Sequence, residues 1–429
     1  MRSSRSPRLV VGVVATVLAT GALGLLPAAT PPASAAGDSC EPGNPQYTTE
    51  VPSALALLQA QKAWTRGTGT GVLVAVVDSG IDAGNAHLQG AVVGGIDLVH
   101  DGEDAQGLTD VYGHGTAIAG EIAAREYPQS GVVGLAPSAE LLSVRAFRGV
   151  DDESVKAGFG PSSARMAEGI RYAAEARAQI INVSMSDFAA TSELEDAVAY
   201  AESLGSLVVA SAGNRATATE TADGPRYPAA YPGALAVSAT DASGVVTDDS
   251  IHGDHVEVAA PGSDVLTTAT GAGDCLYAQE APSTSYATAY VSAAAALVAA
   301  AHPDETPAQW KYRLMATAVR SDPDARDDRA GWGIVQPFDA VNLVAGPTTR
   351  GPANPVLDNA GAGLQPASAT VKPNYSASPF AITTQATMIV VISALTFLGT
   401  TAVIIVFRQR RKAKAVVAES TGGGLFDRS

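Results

Sequence analysis

Apolar residues fall into two alternating kinds of segment along the middle of the chain. Residues 72–77 form a continuous apolar run, the mark of a strand buried on both faces. Similar runs recur at 141–147, 180–184, 207–211, 234–239 and 256–259. Helical patterns lie between several of them, at 116–125, 163–178 and 192–204. The last of these opens with a capping box of Ser192 and Glu195 and stops at Gly205. Strand alternating with helix predicts an α/β fold, a mainly parallel sheet with helices on both faces. A further stretch, 286–301, carries no charge and is apolar all round, which predicts a helix buried inside a large domain.

The two ends have a different pattern. Arg2, Arg5 and Arg8 precede an apolar run over 9–26, and Ala33-Ser34-Ala35 offers an Ala-x-Ala cleavage site, as in a secretory signal peptide. Gly37-Asp38-Ser39 before Cys40 is a poor lipidation signal, so a lipoprotein reading is set aside. Residues 387–407 are uncharged and mostly apolar; as a helix this stretch spans about 31 Å, matching a bilayer core of about 30 Å. Arg408, Arg410, Arg411, Lys412 and Lys414 follow at once, which by the positive-inside rule puts the tail in the cytoplasm and the bulk outside. The expected organisation is a signal peptide over 1–35, an arm over 36–66 with a helical run at 52–64, and an α/β domain over 67–346. A Pro/Gly/Ala/Ser stalk over 347–386, a transmembrane helix over 387–407 and a cytoplasmic tail over 408–429 complete it. The chain is thus expected in the cell membrane with a single pass. Its net charge of −16, with basic clusters only at the ends, argues against a nucleic-acid surface.

In a parallel sheet the working residues gather beyond the carboxyl ends of the strands. There lie Asp78-Ser79-Gly80-Ile81-Asp82, Met185-Ser186-Asp187 and Ala212-Gly213-Asn214, while Gly113-His114-Gly115-Thr116 opens a helix. Ser285 sits at the start of the apolar helix, beside unpaired N–H groups and the positive end of the dipole. That place suits an oxygen nucleophile, since the same N–H groups can steady the charge developing on its target. Each residue has a plain reading on its own: Ser285 as an N-cap, Asp78 as a turn former, Asn214 in a tight turn after Gly213. Together they make a nucleophile–base–orienter set with an oxyanion donor. Gly67-Thr68-Gly69-Thr70-Gly71 looks like a phosphate loop but precedes its strand, so a dinucleotide reading fails on order. His252 and His255 lack a third ligand, and no metal site is assigned.

Asp78-Ser79-Gly80-Ile81, Gly113-His114-Gly115-Thr116 and Ser283-Thr284-Ser285-Tyr286-Ala287 resemble the three catalytic blocks of subtilisin-like serine proteases (peptidase family S8), in that family's order. Ser211-Ala212-Gly213-Asn214 resembles the block that supplies the oxyanion amide. Ala260-Pro261-Gly262 and the Pro- and Tyr-rich stretch 227–232 are further family-like features, and the resemblance spans roughly 51–343. The arm ending in Ala63-Trp64, the block at 113–120, the stalk and the single C-terminal anchor are similar to those of mycosins, the membrane-anchored proteases of actinobacterial type VII secretion systems.

The resemblance implies that Ser285 attacks the peptide carbonyl, His114 carries the proton, Asp78 orients the imidazole and Asn214 binds the oxyanion. It implies pocket walls from Ser184, Met185 and Ser186 and from Ser211, Ala212 and Gly213. No cofactor is required for the chemistry, and structural calcium is left open. Partners would be an exported protein or peptide substrate, the membrane, and a type VII secretion complex. The rival reading is a structural or docking subunit of such a complex with weak or dispensable protease activity.

Placement at a helix start should keep His114 neutral near pH 7. Ser283 stands where the family usually has Gly, Ser186-Asp187 where it has Gly-Gly, and Ala117 where many members have a second His. These departures bear on specificity and rate rather than on the triad. The arm is too short for a folded pro-domain and is expected to be retained. Cys40 and Cys275, the only cysteines and both on the oxidising side, are expected to form one disulfide.

Overall fold

The computed structural model describes Cys40 and residues 42–357. The expected signal peptide, transmembrane helix and cytoplasmic tail lie outside the described residues, as does the stalk beyond 357.

The apolar runs do form strands. β1 (Leu73–Asp78), β2 (Val92–Asp97), β3 (Glu140–Arg145), β4 (Ile180–Val183), β5 (Leu207–Ser211), β6 (Ala234–Thr240) and β7 (Val258–Pro261) make one seven-stranded sheet in the order β2-β3-β1-β4-β5-β6-β7. All of its pairings are parallel, with Val74 opposite Ile180 and Ile180 opposite Leu207. Side chains leave alternate faces, so β1 sends Val74 and Val76 into one core and Ala75 and Val77 into the other.

The helices are α1 (Ser53–Leu57), α2 (Ala60–Ala63), α3 (His114–Ala123), α4 (Asp152–Lys156), α5 (Ser163–Glu175), α6 (Ser192–Ser203), α7 (Thr284–Ala301), α8 (Pro307–Thr317) and α9 (Pro337–Asn342). The apolar faces of α3 and α7 share the first core, and those of α5 and α6 share the second. α7 is apolar and long enough to cross a membrane, but it is 89% buried within this domain. Its alanines are the reason: with a methyl group at half of its positions, sheet and helix backbones approach closely from several sides.

Several local expectations change. The helical run expected at 52–64 divides into α1 and α2 at Gln59, whose φ of 52° is left-handed. α6 is capped by Thr191 rather than by a Ser192 box. Thr191 has the extended backbone, and its side chain accepts from Leu194 N at 3.3 Å. α7 starts at Thr284 with Ser283 as its cap, so Ser285 is not the cap residue. The edge strand β2 is interrupted by Gly94-Gly95 and lacks a continuous apolar run. The antiparallel hairpin of β8 (Val265–Ala269) and β9 (Gly273–Tyr277) is a further element that the apolar pattern does not foretell.

Cys40 is bonded to Cys275 on β9, with a Cα–Cα distance of 5.5 Å. The arm continues along the same edge: Gln46 N donates to Ala272 O at 2.7 Å, and Asp274 N donates to Gln46 O at 2.8 Å. The arm is therefore stitched to the domain by backbone as well as by sulfur.

Candidate active site

The last residue of β1 is Asp78, fully buried, with a carboxylate aimed at the start of α3. Its Oδ1 accepts from His114 Nδ1 at 2.7 Å and from Ser79 N at 2.8 Å. With Nδ1–H committed to Asp78, Nε2 is the nitrogen left to act as a base, on a ring whose side chain keeps 19% of its surface exposed.

The start of α3 is held by a residue that the motif reading did not single out. Asp110 Oδ1 accepts from Gly113 N at 2.7 Å, and Oδ2 accepts from Thr116 N at 2.8 Å and Thr116 Oγ1 at 2.7 Å. Ser79 Oγ accepts from Gly115 N at 2.9 Å. A Cβ on Gly115 would lie 2.1 Å from Gly80 O, so only glycine lets β1 and α3 close on each other. An Asp three residues before Gly113 is a capping signal that was legible in the sequence.

Burial works to lower the His114 pKa. The charge and hydrogen bond of Asp78, with the charge of Asp110 behind it, outweigh burial and raise the imidazole above its ordinary value. The direction is opposite to that expected from helix-start placement alone, and Asp78 is its main cause.

Ser285 is the second residue of α7 and is 7% exposed. Its Oγ donates to Ser184 O at 3.1 Å rather than to the imidazole, and Ser184 Oγ donates back to Ser285 O at 2.9 Å. Behind this pair, Asn182 Nδ2 donates to Ser184 Oγ at 2.9 Å and Ser292 Oγ donates to Asn182 Oδ1 at 2.8 Å. This buried polar chain ties β4 to α7 and sets their register. Asn182 is the one amide inside the apolar runs, a signal the motif reading passed over. The ring of Tyr286 lies 5.8 Å from that of His114.

Asn214, beyond β5, turns its amide to the same helix start. Its Oδ1 accepts from Thr284 N at 2.8 Å and Thr284 Oγ1 at 2.9 Å, and its Nδ2 donates to Ser283 Oγ at 3.3 Å.

His114, Ser285 and Asn214 open onto one cleft of about 770 Å³, also lined by Ser184, Met185, Ser186 and Ser211. Asp78 lies behind it. Of the expected pocket walls, Ala212 and Gly213 are buried behind the cleft surface. Ala212 is fully buried, and Gly213 turns at φ 100° with Arg226 and Ile251 packed where a side chain would be. Asp187 lines the cleft, but its Oδ2 accepts from Ser163 Oγ at 2.6 Å, so the acidic departure is tied down locally. His252 and His255 are turned onto backbone carbonyls, at Thr247 O (3.1 Å) and Ala212 O (3.4 Å).

The subtilase family, Peptidase S8, matches residues 69–333. Thermitase from Thermoactinomyces vulgaris is 41% identical over 211 residues, covering 49% of this chain and 70% of thermitase. Subtilisin E from Bacillus subtilis (strain 168) is 34% identical over 275 residues, 64% of this chain and 68% of that protein. Among solved structures, the MycP3 protease from the type VII (ESX-3) secretion system is similar with a TM-score of 0.60 and 30% identity, covering 70% of this chain and 94% of that one. MycP1 from Mycobacterium smegmatis gives 0.60 and 27%, covering 75% and 95%.

Proposed function

This chain belongs to the subtilase family and is a serine endopeptidase of that family; from that premise we propose that it is a membrane-anchored protease facing outward, working with Asp78, His114 and Ser285 on exported proteins of a type VII secretion system. The observation that carries the site assignment is the 2.7 Å bond from His114 to a fully buried Asp78, at the cleft onto which Ser285 opens.

In this reading Ser285 rotates about χ1 off the Ser184 carbonyl and onto His114 Nε2, since its hydroxyl rests on Ser184 in the free protein. Oγ then attacks the scissile carbonyl carbon while Nε2 takes the proton. The resulting imidazolium is stabilised by Asp78, and the oxyanion is held by Asn214 Nδ2 and the Ser285 N–H. Collapse of the tetrahedral intermediate expels the amine, which receives the proton from Nε2. Water repeats the sequence on the acyl-enzyme.

Anchoring rests on the apolar run at 387–407 and its basic flank, and export on the N-terminal segment. The secretion role rests on likeness to the MycP3 protease of the type VII (ESX-3) secretion system. A fluorophosphonate probe applied to the detergent-solubilised protein tests the assignment: adduct mapped to Ser285, and absent from Ser285→Ala, is expected. Labelling at another residue would overturn it.

A further inference from the structure

The two N–H groups proposed to hold the oxyanion both point at one oxygen of the protein itself. Asn214 Nδ2 and the backbone N of Ser285 each donate to Ser283 Oγ at 3.3 Å. The orientation of the Asn214 amide follows from its partners. Thr284 N can only donate, and it is 2.8 Å from Oδ1, so the NH₂ end faces Ser283. One donor comes from the loop after β5 and the other from the first turn of α7. Their convergence on a single oxygen is the arrangement a tetrahedral oxyanion requires.

An ordinary N-cap accounts for the bond from Ser285 N but has no need of the one from Asn214, 69 residues away in sequence. Both bonds are long beside the usual 2.9–3.0 Å, as suits an occupant that has to leave. Ser283 has an extended backbone, φ −121° and ψ 128°, which leaves its χ1 free to turn. The nucleophile is likewise parked, on the Ser184 carbonyl. The nucleophile and both proposed oxyanion donors are thus satisfied internally.

We propose that Ser283 is a positioning residue that fills the oxyanion subsite of the free enzyme. Its hydroxyl stands in for the substrate oxygen, holds Asn214 and the Ser285 N–H on target, and swings aside when a peptide carbonyl enters. Substrate therefore competes with an internal ligand, and the free enzyme is restrained. This rests on the protease reading above.

The test uses the full chain in detergent, with the rate of Ser285 labelling by a fluorophosphonate as readout, because that reaction places a phosphoryl oxygen in the same subsite. Ser283→Gly and Ser283→Ala are each expected to label roughly tenfold faster than the natural protein, the equivalent of one ordinary hydrogen bond released. Ser283→Thr keeps a hydroxyl and is expected to remain slow. In Ser283→Gly/Asn214→Ala the gain is expected to vanish, because the freed donor is gone.

A capping role alone predicts the opposite order, with Ser283→Ala the least stable variant and none faster. If Ser283→Gly labels no faster than the natural protein, or keeps its gain without Asn214, the inference fails while labelling of Ser285 upholds the protease reading. If folded natural protein and folded Ser283→Gly both fail to label, the protease reading fails and takes the inference with it.

Discussion

At the scale of residues, the reaction centre is a set of exchangeable hydrogen bonds. Ser285→Ala removes one hydroxyl whose partner is a backbone carbonyl, worth about 1 kcal/mol net, so the variant should melt close to the natural protein. Its turnover of a peptide substrate should nonetheless fall by several orders of magnitude, because the triad acts as a unit. A thermal melt beside a progress curve checks both. The imidazole makes a second prediction. The active base is neutral His114, and its pKa lies above the ordinary value of about 6.5. The rate kcat/KM should therefore be lost as pH falls through that raised pKa, with an acid limb above pH 6.5 rather than below it. Asp110→Asn removes one of the charges that hold the pKa up, so the limb should move to lower pH, and a pH–rate profile of the two proteins reads the shift. A limb that stays in place or moves upward contradicts the part given to the Asp110 charge.

Among elements, the arm and the hairpin of β8 and β9 form a unit that covalent chemistry completes. The Cys40–Cys275 bond closes a loop of sequence separation 235, which the chain-entropy account values at about 5 kcal/mol before strain is subtracted. Cys40→Ser should lower the melting temperature clearly while leaving Asp78, His114 and Ser285 in place, since the backbone pairing of Gln46 with Ala272 and Asp274 remains. An unchanged melt, or two alkylatable thiols in the folded unreduced protein, would count against the bond. α7 supplies a complementary test. Ala294 is fully buried in the first core, so Ala294→Leu should overpack it at a cost of about 1–3 kcal/mol, readable by denaturant midpoint.

For the whole molecule, the expected topology and the proposed task can be tested together in cells. Protease added outside wall-stripped cells should shave the catalytic domain and leave a small fragment carrying the tail beyond 408; recovery of the domain in the cytoplasm would refute export. A strain carrying Ser285→Ala should leave its exported target unprocessed. If secretion itself persists in that strain and fails only when the protein is absent, the fold also serves as a docking part of the complex. Equal failure in both strains, with the variant present and folded, would leave proteolysis as the whole task.

The sequence by itself determined the α/β class, most of the strand runs and the family-like blocks around Asp78, His114 and Ser285. Each of these is written locally: a strand buried on both faces is mostly apolar, and Asp78, His114 and Ser285 each lie where a strand ends or a helix begins. Even Asp110 and Asn182 left a local trace, an Asp ahead of a helix start and a lone amide in an apolar run. The edge strand β2 and the hairpin were not legible, because a Gly-rich edge and a small two-stranded sheet draw their order from neighbours rather than from their own periodicity. Tertiary structure alone decided that the carboxylates of Asp78 and Asp110 outweigh burial at His114. It alone turned Ser285 onto Ser184, and Asn214 together with the Ser285 N–H onto Ser283. Those choices depend on where β4, the loop after β5 and α7 meet, and hydrogen bonds between groups so far apart in sequence exist only after the sheet has brought them within reach of one another.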